Sequence, residues 1–375
     1  MILKNKTDLL DTLKLLIYKE NPALLEKIDL DNDTIFLEPL LLAYFNSKKD
    51  NLFTPTMLTE IMQGYFAEQE PLLLKEAFNK EGIAYVPNVG YFDKKGNKID
   101  DILKIKNTPF ELIIYPLVHL KSIFRDNNEN VINLNKIEIS KTICYKHLNA
   151  LTNAFNYIKI SSETHFNKIQ KYCKKIVVFK INPENTNSFA TINAHGIAFF
   201  NVYQEDYDEV FFVDDIAHQT GHIIMTSILF ERKNYFIIDE DINIGTITKV
   251  KSEYRSFYVF FHALYTYYTT LLCLDNCITN NFFNKEQKHE AVGRIGFYLR
   301  KCRIDLLNFL SIENEYKSIH NILTDEAIQI YETIKSKHIE IYNKYINSIK
   351  NYNYKNQPYN FTYSKFLQLN PLPDV

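Results

Sequence analysis

The chain contains no tryptophan, only nine glycines in 375 residues, and a formal net charge of only −2. Each shortage excludes something. Scarce glycine argues against a turn-rich all-β fold and favours long helices. Near-neutral charge gives no general reason to expect nucleic acid or an anionic membrane as partner. Five cysteines (Cys144, Cys173, Cys273, Cys277 and Cys302) form no CxxC pair. They read as buried free thiols rather than as a disulfide framework or a soft-metal site, which fits a reducing compartment. Residues 1–8 carry charge and no apolar core of signal-peptide length. The longest apolar stretch, residues 257–274, is interrupted by His262 and by threonines and tyrosines, so a buried helix is expected and not a membrane span. The expected location is the cytoplasm.

What is present is ordinary globular material: 46% hydrophobic, 23% charged, with 26 tyrosines and 27 phenylalanines. That length makes one large domain or two modest ones. Helical spacing of apolar residues predicts helices over 8–18, 34–45 and 54–80. Short strand-like pieces follow at 83–86, 110–120 and 131–139, with a polar loop at 126–130 as a plausible boundary. Beyond it, helices are expected over 141–174, 207–232, 253–274, 285–310 and 324–349, with a strand at 175–181 and two short strands within 189–202, around His195-Gly196. The tail, 357–375, reads as irregular. The expected fold is α+β, predominantly helical, with a helical metal-site core and a few short strands. The division is 1–139, a possible substrate-recognition part, and 140–375, a catalytic metal-binding domain.

The chemistry concentrates in His218, Gln219, Thr220, Gly221 and His222. Two histidines four apart on a helix differ by about 40° of rotation, so both imidazoles can reach one ion. In the H-E-x-x-H pattern of metalloproteases the glutamate is the general base. Gln219 occupies that catalytic position here, and an amide has no basic lone pair to accept the proton. The spacing points to a metal enzyme that needs no carboxylate base, or to a relic without activity. Gly221 costs a helix about 1 kcal/mol relative to alanine. It is explicable if a substrate, a cofactor or a neighbouring backbone comes close.

Catalytic zinc and non-haem iron usually take three protein ligands. His262 is the candidate third, and it is equally readable as a hydrogen-bonded core histidine. Arg255, Tyr258, His262 and Tyr265 are spaced as one helical stripe, which would set a positive charge about 10 Å along the axis from His262. An arginine there suits one carboxylate of a short dicarboxylate whose other end chelates the metal, with Tyr258 as a further contact. Asp214, Asp215 and Glu253 are carboxylates near the motif, and the first two also suit helix N-terminal capping. His195 with Gly196 reads as a turn. Arg294, Arg300 and Arg303 read as helix-surface charge rather than as contacts to an acidic substrate.

The order of these residues resembles a known family. His195-Gly196-Ile197-Ala198-Phe199-Phe200 precedes the H-x-x-x-H helix, and Glu253-Tyr254-Arg255 and Phe261-His262-Ala263-Leu264-Tyr265 follow it. This is similar to the HExxH peptide modification proteins, the 2-oxoglutarate-dependent peptide β-hydroxylases of ribosomal peptide natural-product pathways. The resemblance covers residues 140–345, including the helix start at Leu323-Thr324-Asp325, and nothing in 1–139. It implies iron(II) held by His218, His222 and His262, with Arg255 on the distal carboxylate of 2-oxoglutarate and a precursor peptide as partner. Gln219 departs from the family's glutamate; oxygenase chemistry needs no general base, so activity can survive the change. The expected function is therefore an iron(II)/2-oxoglutarate-dependent peptide hydroxylase. Two alternatives stand beside it: a zinc hydrolase using Asp214, Asp215 or Glu253 as base, and a catalytically inactive peptide-binding scaffold.

Overall fold

The computed structural model describes residues 2–47, 53–68, 70–126, 128–204 and 207–372. Asn127 in the expected loop and the last three residues of the tail lie outside them. The fold is α+β and predominantly helical, as the sequence leads one to expect. It divides into two compact units, residues 1–149 with 170–206, and residues 150–169 with 207–375.

The first unit begins with α1 (Ile2–Glu20), α2 (Asp33–Phe36), α3 (Pro39–Asn46) and α4 (Pro55–Met62). Pro39 splits the helix expected over 34–45. It cannot continue a helix but is favoured at the first position of a new one, where the Glu38 side chain accepts from Leu40 N–H. The helix expected over 54–80 stops far earlier. Buried Glu60 accepts backbone N–H groups of Glu76 and Ala77 at 2.8 and 2.6 Å, so the following chain folds back onto α4 instead of extending it.

Strands β1 (Ala84–Val86), β2 (Gly90–Phe92) and β3 (Lys98–Asp100) form an antiparallel meander. A second sheet has the order β4-β5-β6-β8-β7, from β4 (Leu103–Lys104), β5 (Glu111–Ile113), β6 (Lys175–Phe179), β7 (Phe189–Ala190) and β8 (Ile197–Asn201). β5, β6 and β8 run parallel, and a parallel pair needs a long crossover. Helices α5 (Lys141–Ser161) and α6 (Glu163–Tyr172) supply it. This pairing joins 175–201 to the N-terminal strands, so the units do not divide at 139. The strand expected at 131–139 is instead a 3-10 turn, Leu134–Lys136, with isolated bridges at either end.

Within the otherwise apolar β6, buried Lys175 donates to Glu111 Oε2 at 2.7 Å and Tyr85 OH at 2.9 Å, and pairs with Glu38 Oε2 at 3.2 Å. Tyr65 and Tyr85 donate to the same two carboxylates. Burying these charges is costly, but the network is fully paired. Removing Lys175 would leave two carboxylates uncompensated, at about 3–5 kcal/mol.

The second unit holds α7 (Glu209–Ile228), α8 (Ile244–Thr248), α9 (Phe257–Thr279), α10 (Lys285–Tyr316), α11 (Asp325–Ile349) and α12 (Tyr363–Leu369). α12 is helical where an irregular tail is expected, because Phe366 is buried against Gly293 of α10. α9 packs against α7, α10 and α11. It is long and apolar enough to cross a bilayer, yet 72% of its most apolar window is buried within the protein, so it serves as the core helix.

His119 gives the first unit a pH signature. It is 1% exposed, neither ring nitrogen has a hydrogen-bond partner among the described residues, and burial with nearby Lys175 pushes its pKa down to about 3. The native ring stays neutral while the unfolded one protonates below about 6.5. Its contribution is therefore complete above pH 6.5 and lost as pH falls toward 3, at up to about 1.4 kcal/mol per pH unit. His119→Phe should flatten the fall in unfolding free energy between pH 6 and 4 by close to one proton. Urea titrations at both pH values measure this, and identical pH slopes in the two proteins would refute it.

Candidate metal centre

α7 starts at the Asp208 cap and runs past the two motif histidines, and α9 starts at the Ser256 cap, six residues before His262. The helices approach closely at Gly221. A methyl group there would lie 2.6 Å from Thr269 Oγ1 and 3.5 Å from the Thr266 backbone. Thr269 also donates across to Ala217 O at 2.9 Å. The glycine is thus explained by the neighbouring helix. The same approach brings the histidines together: ring centroids of His218 and His222 are 5.2 Å apart, and those of His222 and His262 are 5.9 Å apart.

Rings that ligate one ion at about 2.1 Å have centroids about 4.5–5.2 Å apart. The α7 pair meets this; His262 stands slightly too far. Among the described residues no three His, Cys, Asp or Glu side chains converge at metal-binding distance. The donor chemistry nonetheless fits a divalent transition metal. Burial holds the His218 imidazole well below its ordinary pKa, helped by His222 and Lys301, and pushes His222 down to about 4. Both are neutral at pH 7, the form that ligates. Buried His218 Nδ1 has no hydrogen-bond partner among the described residues, a vacancy that a metal would satisfy.

The carboxylates near the motif are all engaged. Asp214 accepts from Arg294 at 2.7 Å, and Arg294 also donates to Glu290 at 2.8 Å. Arg294 is 3% exposed, which corrects its reading as surface charge. Arg300 does lie outside the site, stacked over Tyr354, and Arg303 is exposed. Asp215 Oδ1 accepts from Gln219 Nε2 at 3.1 Å. Glu253 is bound to Arg255, and Arg255 is also bound to Asp305.

Arg255 differs from expectation in a second way. It precedes the Ser256 cap, so the helical stripe runs only through Tyr258, His262 and Tyr265. Tyr258 does sit beside His262, at 4.5 Å between ring centroids, and the Arg232 guanidinium lies 3.9 Å from the Tyr258 ring centroid. His195 stands before Gly196, whose positive φ of 97° makes the turn that the sequence suggests.

Sequence reasoning missed the α10 side of the site. Glu290, Arg294, Tyr298, Lys301 and Asp305 recur every three or four residues, on the face turned toward α7 and α9. Tyr298 lies 5.8 Å from the His218 ring and Tyr267 of α9 lies 6.3 Å from it. Burial pushes the Lys301 ammonium down to about 8. Polar residues repeating at the period of a buried face were the available signal.

No protein-family model matches the chain, and no curated protein matches it.

The Gln219–Asp215 bond shows why glutamine suits this position. A glutamate at 219 would set two carboxylates side by side in a buried site, and one would have to take up a proton. Gln219→Glu should lower stability at pH 7 by about 1–3 kcal/mol, with recovery on adding Asp215→Asn. Thermal unfolding of both variants checks this; an unaffected single variant would sink the pairing.

Proposed function

We propose that the helical unit is a metal site of the iron(II)/2-oxoglutarate oxygenase type, hydroxylating a side-chain carbon of a ribosomally made peptide. What carries the reading is a cluster of imidazoles, with His218 and His222 held neutral and His262 beside them, next to which Asp214, Asp215 and Glu253 are each already held by a hydrogen bond or ion pair. Such a site can hold a metal but offers no positioned base for hydrolysis. The resemblance of residues 140–345 to the peptide β-hydroxylases supports the peptide substrate and the cytoplasmic setting, and the five buried thiols suit the latter. Iron(II) with 2-oxoglutarate and dioxygen would supply the oxidation: one oxygen atom would go to the peptide C–H, giving the alcohol, and the other to the succinate formed as 2-oxoglutarate loses carbon dioxide.

The protein's own part is to bind and orient. His218 and His222 present two ligands from a rigid helix, and metal uptake would draw His262 toward them. Gln219, fixed by Asp215, lies beside the site as a neutral donor. Tyr267 and Tyr298 wall the His218 side and exclude water there. Tyr258 covers His262.

The 5.9 Å gap between His222 and His262 favours a second reading, a peptide-binding protein without metal or activity. Anaerobic addition of iron(II) and then 2-oxoglutarate separates the two. The oxygenase reading expects stoichiometric iron uptake and a weak visible charge-transfer band. His218→Ala should weaken iron binding more than about 100-fold while leaving the helical circular dichroism intact. A wild-type protein that takes up no iron would decide for the scaffold.

A further inference from the structure

An anionic co-substrate needs a cation with donors to spare, and Arg255 has almost none. Its Nε–H and one Nη2–H go to Glu253, while Nη1 and the other Nη2–H go to Asp305, at 2.7–2.9 Å for all but the tightest contact. Four of five donors are used, and a ligand carboxylate gripped by a two-pronged fork needs two. The guanidinium with its two carboxylates already carries net negative charge, so a third would be repelled.

Lys301 is in the opposite condition. Its ammonium forms no ion pair within 4 Å among the described residues, and its only hydrogen bond there goes to Tyr359 O, at 2.6 Å. Two of three N–H donors are left over. The acids whose charge acts on it, Asp214 of α7 and Asp305 one turn further along α10, are already ion-paired to Arg294 and Arg255. The ammonium is held between the rings of Phe297 and Tyr359, 4.7 and 4.0 Å from their centroids, one helical turn beyond the tyrosine that faces His218.

We propose that Lys301, and not Arg255, anchors the far carboxylate of the 2-oxo dicarboxylate co-substrate at the His218 end of the site. The assignment rests on the metal-site reading above. Arg255 then acts as a brace between the start of α9 and α10.

Cobalt(II) bound to the full chain provides an optical probe without turnover. Under anaerobic conditions it is titrated with 2-oxoglutarate and with 2-oxobutyrate, which lacks the far carboxylate. Lys301→Met should weaken 2-oxoglutarate binding about 10- to 100-fold and leave cobalt and 2-oxobutyrate affinities within a few-fold of wild type. Lys301→Arg should restore most of the 2-oxoglutarate affinity. Unchanged 2-oxoglutarate affinity in Lys301→Met, or an equal loss for both oxo acids, overturns this assignment and leaves the metal site standing. A wild-type chain that binds no cobalt overturns both.

Discussion

Helix α7 can lie this deep against α9 only because residue 221 has no side chain. The 2.6 Å that a methyl group would leave to Thr269 is well inside van der Waals contact, so any larger residue would push the helices apart. The Thr269 hydroxyl then bonds the α7 backbone, fixing the rotation of one helix against the other. Those two conditions set where His222 and His262 meet. They also set which face of α7 turns toward α10, and so place Asp214 on Arg294. The placing of the histidines and the charge pairing descend from one close contact.

The interior of the helical unit is organised by charge as much as by apolar packing. Arg294 pairs with Asp214 and Glu290, and Arg255 pairs with Glu253 and Asp305. Such pairs add little net stability over apolar residues of the same shape, but a mispaired arrangement is strongly disfavoured. They therefore select one packing of α7, α9 and α10. Between them lies a lining of neutral imidazoles and tyrosines with Lys301 at its edge. In a medium of low dielectric that single cation exerts more force on a bound anion than it would in water.

Several features were legible in the sequence because they depend on local periodicity. The helical spacing of His218 and His222, the buried character of 257–274 and the two strands about Gly196 all follow from short-range pattern. Other features depend on partners far along the chain. Arg255 has the right spacing for the His262 stripe, but Ser256 caps the helix after it and the guanidinium turns to Asp305, fifty residues on. The helix expected through residue 80 ends because one glutamate accepts amides from a returning loop. The boundary expected at 139 gives way because β6 pairs with β5 across two helices. Arg294 on α10 reads as surface charge taken alone, though with Glu290, Tyr298, Lys301 and Asp305 it has the spacing of a core-facing stripe. Pairing across the fold is what a linear pattern does not show.

The five thiols, distributed over both units, are all buried, and burial raises Cys144, Cys173 and Cys277 to about 12. At neutral pH essentially none is ionised, and none is open to a reagent in the folded chain. Alkylation by a small electrophile must therefore wait for an opening of the structure. Cys144 and Cys173 time the opening of one unit; Cys273, Cys277 and Cys302 time the other. The chain carries its own set of clocks for local unfolding.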